Sequence, residues 1–159
     1  MRRLLVLLLL VAATAGGTAS AAGHVTLTVY AASSLTDVLP KVGPSERYSF
    51  GGSNTLAAQI TQGAPADVFA SANLTLPEQL YAKGLVTRPY VLTHNTLVLI
   101  VPRANPARIH SVTDLRKPDV KIVIAGPTVP VGSYTLQVLK TMHMTDVLDN
   151  VVSRESDVR

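Results

Sequence analysis

The chain has 159 residues, no cysteine, no tryptophan, 14 Lys+Arg against 10 Asp+Glu, and a high apolar content. The missing cysteines exclude a disulfide-stapled fold and a lipid anchor attached through a cysteine after a cleavage site. The missing tryptophan and scarce aromatics remove the usual stacking platforms for bases, and without Arg2 and Arg3 the charge balance falls to 12 against 10, so the basic pI is no argument for a nucleic-acid partner.

The first 22 residues stand apart. Arg2-Arg3 is followed by an unbroken apolar run, Leu4 to Ala13, and then by small residues ending in Ala19-Ser20-Ala21-Ala22. That is the layout of a cleaved secretory signal peptide, with the mature chain starting near Gly23. An apolar run of about ten residues is too short to span a bilayer, which takes roughly 20.

Val25 to Tyr30 is a β-rich run leading into Ala31-Ala32-Ser33-Ser34. Leu35 to Val42 predicts a helix, stopped by Gly43-Pro44, and Arg47 to Phe50 a second strand. Gly51-Gly52-Ser53-Asn54 turns into a helix over Thr55 to Gln62, with Leu56, Ala57 and Ile60 on its apolar face and Gly63 as the terminating C′ residue. Asp67 to Ala70 is a third strand. Leu76 to Lys83 is a third helix, with Pro77 in its first turn and Gly84 after its end. The order βαβαβα at this spacing predicts an α/β fold with a mainly parallel sheet.

Thr96 to Val101 reads as a further strand closed by Pro102. A short helix near Val112 to Arg116 follows, then a strand over Lys121 to Ala125 and a longer helix over Val131 to Met142. Thr145 to Asn150 reads as a short helix and Val151 to Ser153 as a strand. Glu155-Ser156-Asp157 has the character of a helix start, yet only Val158 and Arg159 follow. A helix needs more residues than that to offset nucleation, so the reading frame is expected to continue beyond Arg159.

Chemistry concentrates at four strand-to-helix joints: Ala32-Ser33-Ser34, Gly51-Gly52-Ser53-Asn54, Pro130-Val131-Gly132-Ser133 and Ser156-Asp157-Val158. In open α/β sheets ligands sit beyond the carboxyl ends of the strands, beside helix N-termini. Unpaired N–H groups, the partial positive charge of the helix end, close backbone approach at glycine and a rotatable serine hydroxyl together suit an anion. A serine in such a place is, taken singly, most often just an N-cap. Enzyme signatures are missing: there is no Gly-x-Ser-x-Gly elbow, no Ser-x-x-Lys, no Walker A and no His-Glu-x-x-His. His24, His94, His110 and His143 are scattered without metal-ligand spacing. A serine hydrolase built on Ser34 or Ser53 remains the alternative from another class.

Val29-Tyr30-Ala31-Ala32-Ser33-Ser34-Leu35-Thr36 resembles the opening strand and turn of the periplasmic molybdate-binding proteins of ABC importers. Phe50 to Leu56 with Gln59-Ile60, Gly63 to Phe69, Gly126 to Gly132 and Glu155 to Arg159 resemble later segments of that family, in order along the mature chain. The resemblance implies a type II periplasmic-binding-protein fold: two α/β lobes with mainly parallel sheets, here with the second lobe incomplete. Residues 1–22 would be the signal peptide, 23–95 the first lobe, and 96–159 a hinge strand and part of the second lobe. The resemblance further implies that Ser34 and Ser53 give hydroxyl hydrogen bonds to the anion, and that Val131 and Val158 give backbone N–H groups. These four would contact the oxygens of molybdate or tungstate without ligating the metal. The expected protein is an exported, non-enzymatic monomer that needs no cofactor, binds no nucleic acid, and works with a membrane permease. A receptor for another tetrahedral oxyanion, sulfate or phosphate, is the alternative within the same class. The family also uses a tyrosine shortly after the position of Val158, beyond the end of this sequence.

Overall fold

The structure is a computed structural model and describes residues 25–158; the expected signal peptide over residues 1–22 lies outside them. Among the described residues no helix is long and apolar enough to cross a membrane.

The first lobe is a three-stranded parallel sheet in the order β2-β1-β3, made of β1 (Thr28–Ala32), β2 (Arg47–Gly51) and β3 (Val68–Ala70). The central strand β1 is paired on both edges, and its Ala31 and Ala32 are almost fully buried. Helices α2 (Ser53–Thr61) and α3 (Thr75–Ala82) cover the sheet through Ala57, Ile60 and Leu80, packed with Tyr30, Phe69, Leu76 and Val86. Both helices stop at the expected glycines: Gly63 has φ +91° and Gly84 φ +70°, the left-handed conformation that ends a helix and that glycine adopts without strain.

The expected helix over Leu35 to Val42 is broken in two. A 3-10 turn covers Ser33–Leu35, and a single α-turn, α1, covers Leu39–Val42. Pro40 is the reason. It has no N–H to bond back to Thr36, and its ring is tolerated only in the first turn of a helix, so the helix must begin beside it.

The second lobe holds β4 (Ile122–Ala125) and β5 (Val151–Glu155), parallel and directly paired, with α4 (Pro130–Thr141) between them in sequence. Ile109, Leu115, Val120, Leu139, Met144 and Val147 form its core. The helix expected near Val112 is a 3-10 turn, Val112–Arg116, and Thr145–Asn150 is another. Asp114 caps the first of them, accepting the N–H groups of His110 and Ser111 at 2.9 Å each and pairing with Lys117 at 2.9 Å. Arg116 ties the two turns together, donating to Asp146 at 2.6 Å and to the His143 carbonyl at 2.8 Å. Of the helix start expected over Glu155-Ser156-Asp157, Glu155 proves to be the last residue of β5, and Ser156–Asp157 is a bend.

The strand expected over Thr96 to Val101, and with it the hinge strand of the second lobe, is absent. The segment is drawn out and exposed, with Val98 at 75% and Ile100 at 85%. An apolar, β-branched run becomes a strand only when a neighbour completes its hydrogen-bond ladder, and neither described sheet places one beside it.

Candidate functional site

Strand register sets the level at which each turn leaves the sheet. Ala32 pairs with Gly51, so Ser33-Ser34 and Gly52-Ser53 emerge side by side at the carboxyl edge of the first lobe. Ala31 pairs with Ala70, which brings Ser71 to Asn73 to the same edge. In the second lobe Ala125 pairs with Glu155, so the Gly126–Val131 turn and the Ser156–Asp157 bend also emerge together, joined by Gly126 N–H donating to the Glu155 carbonyl at 2.8 Å.

Gly52 is the N-cap of α2, in extended backbone, and the first helical bond runs from Leu56 N–H to the Gly52 carbonyl at 3.0 Å. The amides of Ser53, Asn54 and Thr55 therefore have no partner within the helix. Ser53 is 2% exposed, and its Oγ accepts the N–H of Ala72 at 3.0 Å. A hydroxyl has one proton and two lone pairs. Accepting from Ala72 fixes its orientation and leaves the proton to donate. An amide donor cannot remove that proton, so the contact suits a hydrogen-bond donor and not a nucleophile, which needs a base at the hydroxyl.

In α4 the first helical bond runs from Ser133 N–H to the Val129 carbonyl at 3.0 Å, and Val129 N–H is taken by the Gly126 carbonyl at 3.0 Å. Pro130 has no N–H, so Val131 and Gly132 carry the unspent amides of this helix end. Gly132 lies so close to β4 that a Cβ there would stand 2.0 Å from the Gly126 carbonyl oxygen and 2.5 Å from that of Ala125.

The two lobes meet at these edges. A Cβ on Gly52 would stand 2.6 Å from the Ser156 carbonyl oxygen and 3.7 Å from the Asp157 Cβ. Asn54 Nδ2 reaches Thr128 Oγ1 across the seam at 3.5 Å. Of the four residues expected at the site, Ser34 and Ser53 thus share the first lobe's edge, and Val131 and Val158 the second's. Ser53 adjoins the seam at Gly52, and Val158 follows two residues after Ser156. Ser34 is exposed on the 3-10 turn after β1, while its neighbour Ser33 is the buried one. Asn54 and Thr128 were not expected at the site. Asn54 sits in a segment already singled out, but nothing in the order of residues says that its side chain meets one 74 positions away.

Donors predominate at the seam, with backbone N–H groups, serine hydroxyls and two helix N-termini, although the Ser156 carbonyl, the Asn54 amide and Asp157 also stand beside Gly52. Such an edge attracts negative charge without a lysine or arginine. Among the described residues no cluster of His, Cys, Asp and Glu is arranged to hold a metal ion.

Residues 27–159 match the family model described as bacterial extracellular solute-binding protein. The chain is 33% identical over 156 positions to the molybdate-binding protein ModA of Mycobacterium bovis, an alignment covering 85% of this chain and 60% of that protein. It is 34% identical over 159 positions to the ModA of Haemophilus influenzae, covering 88% and 61% respectively. A sulfate-binding protein of Synechococcus elongatus is 29% identical over 130 positions, covering 69% of this chain and 37% of its own length. The chain thus spans about 60% of the length of the two ModA relatives. Among solved structures, the periplasmic molybdate-binding protein of Azotobacter vinelandii superposes with a TM-score of 0.57 at 21% identity, covering 82% of this chain and 62% of that one.

Proposed function

Since this chain belongs to the family of bacterial extracellular solute-binding proteins, we propose that it captures molybdate, and tungstate alike, for an ABC importer. It binds its solute and does not transform it. The observation that carries the choice of an anion is the seam, where the N-terminus of α2 and the joints before α4 and after β5 face one another through Gly52, Ser156, Asn54 and Thr128. The two ModA relatives, each at least 33% identical, supply the particular oxyanion.

In this reading Ser34 and Ser53 donate their hydroxyl protons from the first lobe, and Val131 and Val158 donate backbone N–H groups from the second. Valine is no obstacle at either place, because the main chain does the binding. Burying a dianion is costly unless its oxygens are saturated with donors. Bonds to a charged acceptor are roughly twice as strong as neutral ones, so fixed neutral donors suffice. Sulfate is also a tetrahedral dianion and can be rejected only by the size of the cavity. Tungstate has nearly the size of molybdate and binds with it. The exported receptor works as a monomer and passes the anion to a membrane permease.

Calorimetry on the purified chain tests this. Molybdate and tungstate are expected to bind alike, and sulfate weaker by roughly two orders of magnitude, about 2.8 kcal/mol. Sulfate bound as tightly as molybdate would turn the assignment toward the second reading, a sulfate receptor, which the Synechococcus relative favours. Labelling of Ser53 by an acylating serine probe would overturn the binding role altogether.

A further inference from the structure

The Asn54 amide is poorly satisfied at both ends. Its Nδ2 donates to Thr128 Oγ1 across 3.5 Å, the outer limit of a hydrogen bond. Its Oδ1 is buried with no hydrogen-bond partner among the described residues, too enclosed for a water to reach it. That oxygen lies 2.8 Å from where a Cβ on Gly52 would be, and the Ser156 carbonyl oxygen of the other lobe lies 2.6 Å from the same point. Two acceptor oxygens therefore crowd the space beside Gly52, and neither can donate to the other. The crowding depends on the lobes being together. If they part, the amide reaches water and both its ends are satisfied.

The magnitudes decide the sign. A bond stretched to 3.5 Å contributes little. A buried acceptor without a partner carries the full cost of its lost hydration, which outweighs the gain of an ordinary hydrogen bond. We propose that Asn54 acts as a release spring, a positioning residue whose amide opposes closure of the lobes and speeds the departure of the bound solute. A receptor that must hand on its cargo has a use for a closed state that is less stable than its donors alone would make it. The role in release rests on the solute-receptor reading above; the effect on lobe closure does not.

The chain has no cysteine, so single cysteines at the exposed positions Gln59 on α2 and Gln137 on α4 can carry two dyes. Asn54→Leu keeps the branched shape and removes both polar ends, and Asn54→Ala removes them without demanding space. Both are expected to shorten the mean interlobe distance without added anion, and to slow dissociation of molybdate by roughly five- to fifty-fold, with the association rate little changed. Asn54→Asp keeps the orphaned acceptor, adds charge, and speeds release. A merely structural role would lower the melting temperature of all three and leave the interlobe distance alone. Unchanged distances in both apolar variants overturn the proposal. So does faster release from both, which would make the amide a clasp or a direct donor to the anion. If wild type and variants alike show no response to molybdate, the solute reading fails, while the distances without anion still decide the role of Asn54.

Discussion

Ser53 carries more of the proposed anion contact than Ser34, because the two hydroxyls differ in how firmly they are held. Ser53 is buried and oriented by the Ala72 N–H, whereas Ser34 is exposed on a 3-10 turn and must order itself on binding. Ser53→Ala is expected to weaken molybdate binding by about 1.5–3 kcal/mol, the scale of a hydrogen bond to a charged group, and Ser34→Ala by less, measured by calorimetry. Gly52→Ala belongs with them. The backbone of Gly52 suits alanine (φ −60°, ψ 131°), so its effect is steric and falls on the Ser156 carbonyl across the seam and on the Asn54 amide beside it. Its expected signature is lost affinity with a nearly unchanged melt. A different residue governs the acid limb of stability. The N–H of His110, then Lys117 and then the N–H of Ser111 hold the Asp114 carboxyl well below the usual carboxylate range. A carboxyl depressed on folding stabilises the protein above its unfolded value, about 3.9, and that contribution is lost as pH falls toward the folded value. The melting temperature is therefore expected to drop as pH is lowered below about 4. Asp114→Asn should lower it at neutral pH and flatten that limb, and salt should shrink the difference because the partner Lys117 is exposed.

Among the elements, α4 rests directly on the backbone at the end of its strand. Gly132 lets the first turn of the helix rest on the carbonyls of Ala125 and Gly126, where a Cβ would stand 2.0 Å from backbone oxygen. Gly132→Ala must push the helix off β4, at a cost of at least about 1–3 kcal/mol, the range for overpacking. A urea titration should show the midpoint moving down with the slope unchanged. The helices α2, α3 and α4 could be read from the sequence because their signals are local: an apolar face at Leu56, Ala57 and Ile60, Pro77 and Pro130 in first turns, and Gly63 and Gly84 at the ends. Pro40 was an equally local signal, and the split of the first helix follows from it. The run Thr96 to Val101 failed for the opposite reason. Its composition says strand, but a strand is a relation between two segments, and the described sheets supply no second one.

At the scale of the whole molecule that segment is the main liability. Tyr90, Leu92, Val98 and Ile100 are more than 70% exposed on an uncharged stretch free to pair with another chain. Such unpaired apolar backbone is a template for association. The purified chain is expected to self-associate with rising concentration in light scattering. Ile100→Lys, which places a charge at the most exposed of these positions, should suppress this while leaving the circular dichroism spectrum unchanged. If it does not, the association runs through another surface. Each lobe meanwhile has its own core, one around Leu80 and one around Met144 and Val147, so parting at the seam would break neither core.

What the order of residues determined by itself depends on short range: the alternation of strands and helices, the glycine-ended helices, the parallel α/β class, and the Gly- and Ser-bearing turns where an anion would sit. Those features are set by backbone sterics, capping and hydrophobic period, which act within a few residues. Only the tertiary structure decided which serine of Ser33-Ser34 is buried, that Ala72 orients Ser53, that Gly52 must be glycine because Ser156 covers it, and that Asn54 meets Thr128. Each of these is a contact between segments distant in sequence, created by strand register and by the approach of the two lobes. Their geometry exists only once both sheets have formed, and no local propensity encodes it.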